Sequence, residues 1–189
     1  VNKILGEKRV IVSDIPGTTR DAIDTHFTKD GQKFMLIDTA GMRRKAKIEM
    51  PVERYSVVRA LRAVDRADVV LMVIDAEEGV TEQDKKIAGY AHESGKGCII
   101  VVNKWDLIEN KEAKDIKTYE EAIRERLAPF KDFPIIFTSA VTKQRIFKVI
   151  ETAMQVYENK NRKVPTAKLN ELFLPLIENY PPPAFKGKY

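Results

Sequence analysis

Cysteine, histidine and tryptophan are scarce in this 189-residue chain, which holds one, two and one of them. A single cysteine excludes an intrachain disulfide framework and fits a reducing, cytoplasmic setting. Cys98 stands inside an apolar run, where a small buried hydrophobe is its expected role. The two histidines, His26 and His92, have nothing nearby to pair them for metal binding or acid–base work, so both read as structural or exposed. No apolar run approaches the roughly 18 residues needed to span a bilayer, so no membrane partner is expected. Residues 1–6 lack a signal-peptide layout. Internal repeats and low-complexity tracts are also missing. A net charge of +5 permits a nucleic-acid partner without demonstrating one.

What is present alternates between strand-like and helix-like segments, the pattern of a parallel sheet covered by helices. Residues 23–28 and 33–38 read as two strands joined by Lys29-Asp-Gly-Gln32, with Gly31 suited to positive φ. Val52, Tyr55, Val58 and Leu61 predict a helix over 50–64. Val69–Ile74 and Cys98–Val102 read as buried strands, with a helix over 82–94 closed by Gly95. Residues 115–128 form a charged amphipathic helix, 134–137 a strand and 143–158 a further helix. Residues 159–165 are polar and end in proline, which suits a linker. Thr166 is placed to cap a final helix to about Asn179, with Pro175 predicting a kink or an early end.

The chemistry concentrates where strands end. Asn103-Lys104-Trp105-Asp106 follows the Cys98–Val102 strand, at the carboxyl edge where open α/β sheets bind ligands. An Asp there can accept from the N1–H and 2-amino group of guanine, a donor pair that adenine lacks. The Lys104 stem can lie along the base, and Asn103 can brace the loop and reach the N7 edge. Trp105 fills the variable slot of the string and is assigned no chemistry of its own. Thr138-Ser139-Ala140 follows the next strand, where backbone N–H groups of Ser139 and Ala140 could meet guanine O6. On the phosphate side, Asp38-Thr39-Ala40-Gly41 ends the strand at 33–38. Asp38 suits Mg²⁺, usually through a water, and Gly41 lets a backbone N–H approach a terminal phosphate. Pro16-Gly17-Thr18-Thr19-Arg20-Asp21 offers Thr18 and Thr19 as hydroxyl ligands for the same metal.

These motifs resemble the second to fifth G-box elements of a TRAFAC-class GTPase of the TrmE–Era branch. Residues 5–14, 16–21, 38–45 and 54–61, with Glu82-Gln-Asp-Lys85 and Asn103–Asp106, resemble the second GTPase domain of the Der (EngA) family of ribosome-assembly GTPases. The resemblance implies an α/β, P-loop NTPase-type G domain over 1–158, with a mostly parallel sheet and helices on both faces. Residues 159–165 would be the linker, and 166–189 the beginning of an α+β KH-like domain. No Gly-x-x-x-x-Gly-Lys-[Ser/Thr] occurs in the chain, so the G domain is expected to lack its first strand and P-loop here. The parent protein is expected to carry them. Without a P-loop, tight GTP binding is not expected.

The resemblance further implies GTP and GDP as ligands, with the site formed by Asp38, Thr39, Ala40, Gly41, Met42, Asn103, Lys104, Trp105, Asp106, Ser139 and Ala140. Mg²⁺ would be held by Thr18, Thr19 and Asp38, and K⁺ would serve as activator. In hydrolysis Thr18 or Thr19 would ligate the metal while Gly41 senses the γ-phosphate. Met42 follows Gly41, where Ras-like proteins have a water-orienting Gln, so a low intrinsic rate is expected. Arg43, Arg44, Lys45 and Lys47 read either as a solvated mobile loop or as a nucleotide-dependent switch that contacts phosphate or RNA. A second basic zone, Lys160, Arg162, Lys163, Lys168, Lys186 and Lys188, lies near the linker. The implied partner is the large ribosomal subunit and its rRNA, bound by a monomer. Two alternatives stand beside this switch: a catalytically incompetent nucleotide-sensing or RNA-docking module, and a tRNA-modification GTPase of the same branch.

Overall fold

A computed structural model describes residues 23–38, 58, 60–108 and 113–180, and the chain divides into two units, Val1–Tyr157 and Glu158–Tyr189. In the first unit, β1 (Ile23–Lys29) and β2 (Gln32–Asp38) form an antiparallel hairpin, with Lys29 opposite Gln32 and Ile23 opposite Asp38. Asp30 and Gly31 turn the chain with φ of 51° and 76°. Positive φ at both central residues matches the twist of the flanking strands, which is why Asp-Gly serves here. The hairpin is fastened at both ends. Arg66 donates to Asp24 from the end of a helical segment at 60–66, and Lys29 Nζ lies 5.2 Å from the centre of the Phe147 ring.

The central element is a three-stranded parallel sheet of β3 (Val69–Asp75), β4 (Gly97–Asn103) and β5 (Ile135–Phe137), in the order β3-β4-β5. Side chains alternate across it. Met72, Ile74, Ile100, Val102 and Phe137 face a core completed by Ala88 of α1 (Glu82–Glu93) and Ile123 of α2 (Ala113–Arg126). Ile99, Val101 and Ile136 face the opposite way, against Val149, Ala153 and Val156 of α3 (Ile146–Asn161). Helices therefore cover both faces, as the near-continuous apolar strands require. A Cβ on Gly97 would lie 2.5 Å from Val156 Cγ1, so the missing side chain lets α3 approach the start of β4. Among the described residues the hairpin and the parallel sheet are separate sheets.

Local signals explain most boundaries. Thr81 caps α1 through a capping box: Asp84 N–H donates to Thr81 Oγ1 at 3.3 Å, and Thr81 N–H donates to Asp84 Oδ2 at 2.8 Å. Gly95, at φ 62°, follows the end of that helix. Most element ends shift by one or two residues from the sequence expectation, and three differences are larger or change a residue's role. Helix α3 starts at Ile146 rather than 143, because Lys143 and Arg145 have φ of 61° and 55°, a left-handed backbone that a right-handed helix cannot include. It also runs to Asn161, into the stretch read as linker. In the second unit, α4 (Thr166–Asn179) is preceded by Pro165 as its cap residue and has no side-chain cap, so Thr166 is the first helical residue. Pro165 O accepts the first intrahelical bond, from Leu169 N–H at 3.1 Å. Pro175 lies inside α4 without ending it. Residues 50–57 of the helix expected over 50–64 lie outside the described residues; those described there, 58 and 60–64, are helical.

Candidate nucleotide site

The carboxyl ends of β4 and β5 lie side by side because the ladder sets Val102 opposite Phe137. Beyond that register the two exits are bonded to each other. Thr138 N–H donates to Val102 O at 2.7 Å, and Trp105 N–H donates to Thr138 O at 3.0 Å. Asn103 Oδ1 accepts from Ala140 N–H at 3.1 Å, so the Asn103 side chain braces the following loop. The Asn103–Asp106 and Ser139–Ala140 loops, separate in sequence, are thus tied together at the sheet edge. Ser139 is fully buried, and its Oγ accepts from Thr142 N–H at 3.1 Å, which ties the Ser139 loop to its own turn.

The Asn103–Asp106 loop turns sharply. Lys104 has φ 63° and ψ 29°, and the chain passes directly into a single 3-10 turn, Trp105–Leu107. Trp105 is 3% exposed, with its ring centroid 4.4 Å from Phe137 and 5.4 Å from Tyr119. The variable slot is therefore the loop's hydrophobic anchor. Asn103, Lys104 and Asp106, all partly exposed, are the side chains of the string outside the core.

β3 contributes residues that sequence reasoning missed. Asp75 stands opposite Asn103 in the parallel ladder, and Ala76 N–H donates to Asn103 O at 2.9 Å. Asp75 Oδ2 lies 2.7 Å from Lys104 Nζ. Tyr119 OH donates to Ala76 O at 2.6 Å. Its pKa is raised, first by burial and then by the negative charge of Asp75. The available signal was an acidic residue ending the buried run at 69–74, the strand next to the one that carries Asn103.

The phosphate side is less complete. Asp38 ends β2, and nothing is described of its side chain. Thr18, Thr19, Thr39, Ala40, Gly41 and Met42 lie outside the described residues, as do Arg43, Arg44, Lys45 and Lys47. Among the described residues no group of three or more His, Cys, Asp or Glu is placed to hold a metal, and no helix is long and apolar enough to cross a membrane.

A parallel sheet covered on both faces, with its chemistry in loops at the carboxyl ends of adjacent strands, defines an α/β nucleotide-binding type of domain. Its sequence is more specific: the chain belongs to the 50S ribosome-binding GTPase family, whose model matches residues 1–104. It is similar to GTPase Der of Phocaeicola vulgatus, 56% identical over 189 residues, covering 100% of this chain and 43% of that protein. GTPase Der of Caldanaerobacter subterraneus subsp. tengcongensis is 59% identical over 188 residues, again with 43% of that protein covered. The chain thus spans less than half the length of these relatives, the same family that the motifs resemble. Among solved structures, Era in complex with MgGDPNP and nucleotides 1506–1542 of 16S ribosomal RNA has a TM-score of 0.69 at 26% identity, over 87% of this chain and 52% of that one.

Proposed function

We infer that this chain is the base-reading part of a guanine-nucleotide site, in a protein that binds and hydrolyses GTP while acting on the large ribosomal subunit. One observation carries the reading. Asn103 and Ala140 are hydrogen-bonded across the carboxyl ends of two adjacent parallel strands, which supports a joint site for the loops that carry Asp106 and Ser139–Ala140. Asp106 accepts from guanine N1–H and the 2-amino group, and the Lys104 stem lies along the base; the Ser139–Ala140 backbone addresses O6 by redirecting N–H groups that here donate to Gln144 O and Asn103 Oδ1. A carboxylate accepts but cannot donate when ionised, so this arrangement selects against adenine.

On the phosphate side, the family likeness supports Thr18 or Thr19 with Asp38 as the Mg²⁺ ligands and Gly41 as the γ-phosphate contact. Bound Mg²⁺ would neutralise developing charge on the transferred phosphoryl group, and K⁺ is the proposed activator. Met42 cannot orient water by hydrogen bonding, which supports a slow intrinsic rate. The description of the family as 50S ribosome-binding GTPases supports the large subunit and its rRNA as partner.

The test is GDP and ADP affinity of the full-length protein, with and without K⁺, followed by co-sedimentation with ribosomal subunits in GTP and in GDP. The reading predicts a strong preference for GDP and nucleotide-dependent association with the large subunit. Equal affinity for the two diphosphates would refute it.

A further inference from the structure

The Asp75 side chain is only 6% exposed, and the proposed function gives it no role. Its two carboxylate oxygens have partners of different kinds. Oδ1 accepts from the Glu77 backbone N–H at 3.0 Å, so the main chain after β3 sets the orientation of the group. Oδ2 lies 2.7 Å from Lys104 Nζ. Register accounts for the meeting. Asp75 is the ladder partner of Asn103, and Lys104 is the next residue along.

We propose that Asp75 is a positioning residue for nucleotide binding, which fixes the Lys104 side chain in place before the base arrives. The ligand part of this proposal rests on the guanine-nucleotide reading; the ion pair itself does not. Two features of Lys104 bear on it. Its backbone is left-handed, at φ 63°, a conformation that glycine adopts without strain and lysine does not. Lys143 and Arg145 share this backbone, so it is the ion pair with Asp75 that distinguishes Lys104. The Lys104 side chain is also 45% exposed, against 6% for Asp75. The ammonium is therefore drawn to a nearly buried carboxylate while much of the side chain stays open to a ligand. A solvated lysine samples many rotamers, and ordering it would oppose binding. Asp75 removes that cost in advance.

The test is a double-mutant cycle in the full-length protein, with GDP as the probe. Asp75→Asn keeps the shape and an acceptor for Glu77 N–H but removes the charge. It should weaken GDP binding by about three- to tenfold, the range expected from releasing one long side chain. In a Lys104→Met background, which keeps the stem but not the ammonium, the same change should cost under about twofold. Equal losses in both backgrounds would mean that Asp75 acts on the fold and not through Lys104, and would overturn the proposal. Thermal unfolding without nucleotide gives an independent reading. Lys104→Met should lower the Tm by taking a cation from a nearly buried carboxylate, and adding Asp75→Asn should recover part of the loss. A second loss in place of that recovery would also overturn the proposal. Thermal coupling in a protein that binds no GDP would refute the nucleotide reading, and the positioning role with it.

Discussion

Trp105→Ala isolates the link between the core and the base loop. Trp105 is 3% exposed, and it is the one tryptophan of the chain. Its ring packs 4.4 Å from Phe137, the last residue of β5, and edge-on to Tyr119 of α2 at 5.4 Å. Truncation removes an entire aromatic side chain from a closed core, a change that costs about 3–5 kcal/mol. Against a typical domain stability of about 5–15 kcal/mol, that shifts the folded-to-unfolded ratio by roughly two to four orders of magnitude. The backbone bond from Trp105 N–H to Thr138 O does not depend on the side chain, so the loss is one of packing. Trp105→Phe keeps a ring against Phe137 and should cost markedly less than the alanine variant. Urea unfolding followed by circular dichroism measures both without relying on indole fluorescence. A cost below about 1 kcal/mol for Trp105→Ala would refute the assignment of Trp105 as the loop's anchor.

Other outcomes are open to direct measurement. Gly97→Ala should destabilise by about 1–3 kcal/mol, because its Cβ would sit 2.5 Å from Val156 Cγ1, and Val156→Ala should recover most of that loss. Failure of the second change to rescue the first would count against this close approach of α3 to β4. Burial pushes the Cys98 thiol from 9.0 up to about 11. The unfolded chain therefore loses that proton first, so this thiol's contribution to stability is full below about pH 9 and falls as pH rises toward 11. Cys98 is half-buried, so thiol labelling at pH 8 should be slower in the native protein than in denaturant; equal rates would contradict this shielding.

Much of this architecture was legible in the residues because the signals are local. Asp30-Gly31 between two β-rich segments specifies a tight hairpin turn, and five successive apolar residues before Asn103 specify a buried parallel strand. The capping box at Thr81 and the glycine at 95 are likewise short-range devices. Other features depend on neighbours that sequence order does not supply. Asp75 matters because the ladder puts it opposite Asn103, a relation between residues 28 positions apart. Trp105 looked inert in a variable slot, and its role emerges only when α2 and β5 bring Tyr119 and Phe137 to it. The start of α3 was misplaced because Lys143 and Arg145 adopt left-handed backbone without being glycine. Of the kink or early end expected at Pro175, the early end does not occur, since α4 continues to Asn179.

The central claim is that Asp106 reads the base. Its most direct test is Asp106→Asn in the full-length protein, titrated with GDP and with xanthosine diphosphate. An asparagine offers an N–H to the carbonyl that xanthine carries in place of guanine's amino group. The account predicts that GDP affinity falls by about tenfold or more while xanthosine diphosphate becomes the preferred ligand. Unchanged GDP affinity in a folded variant would contradict it.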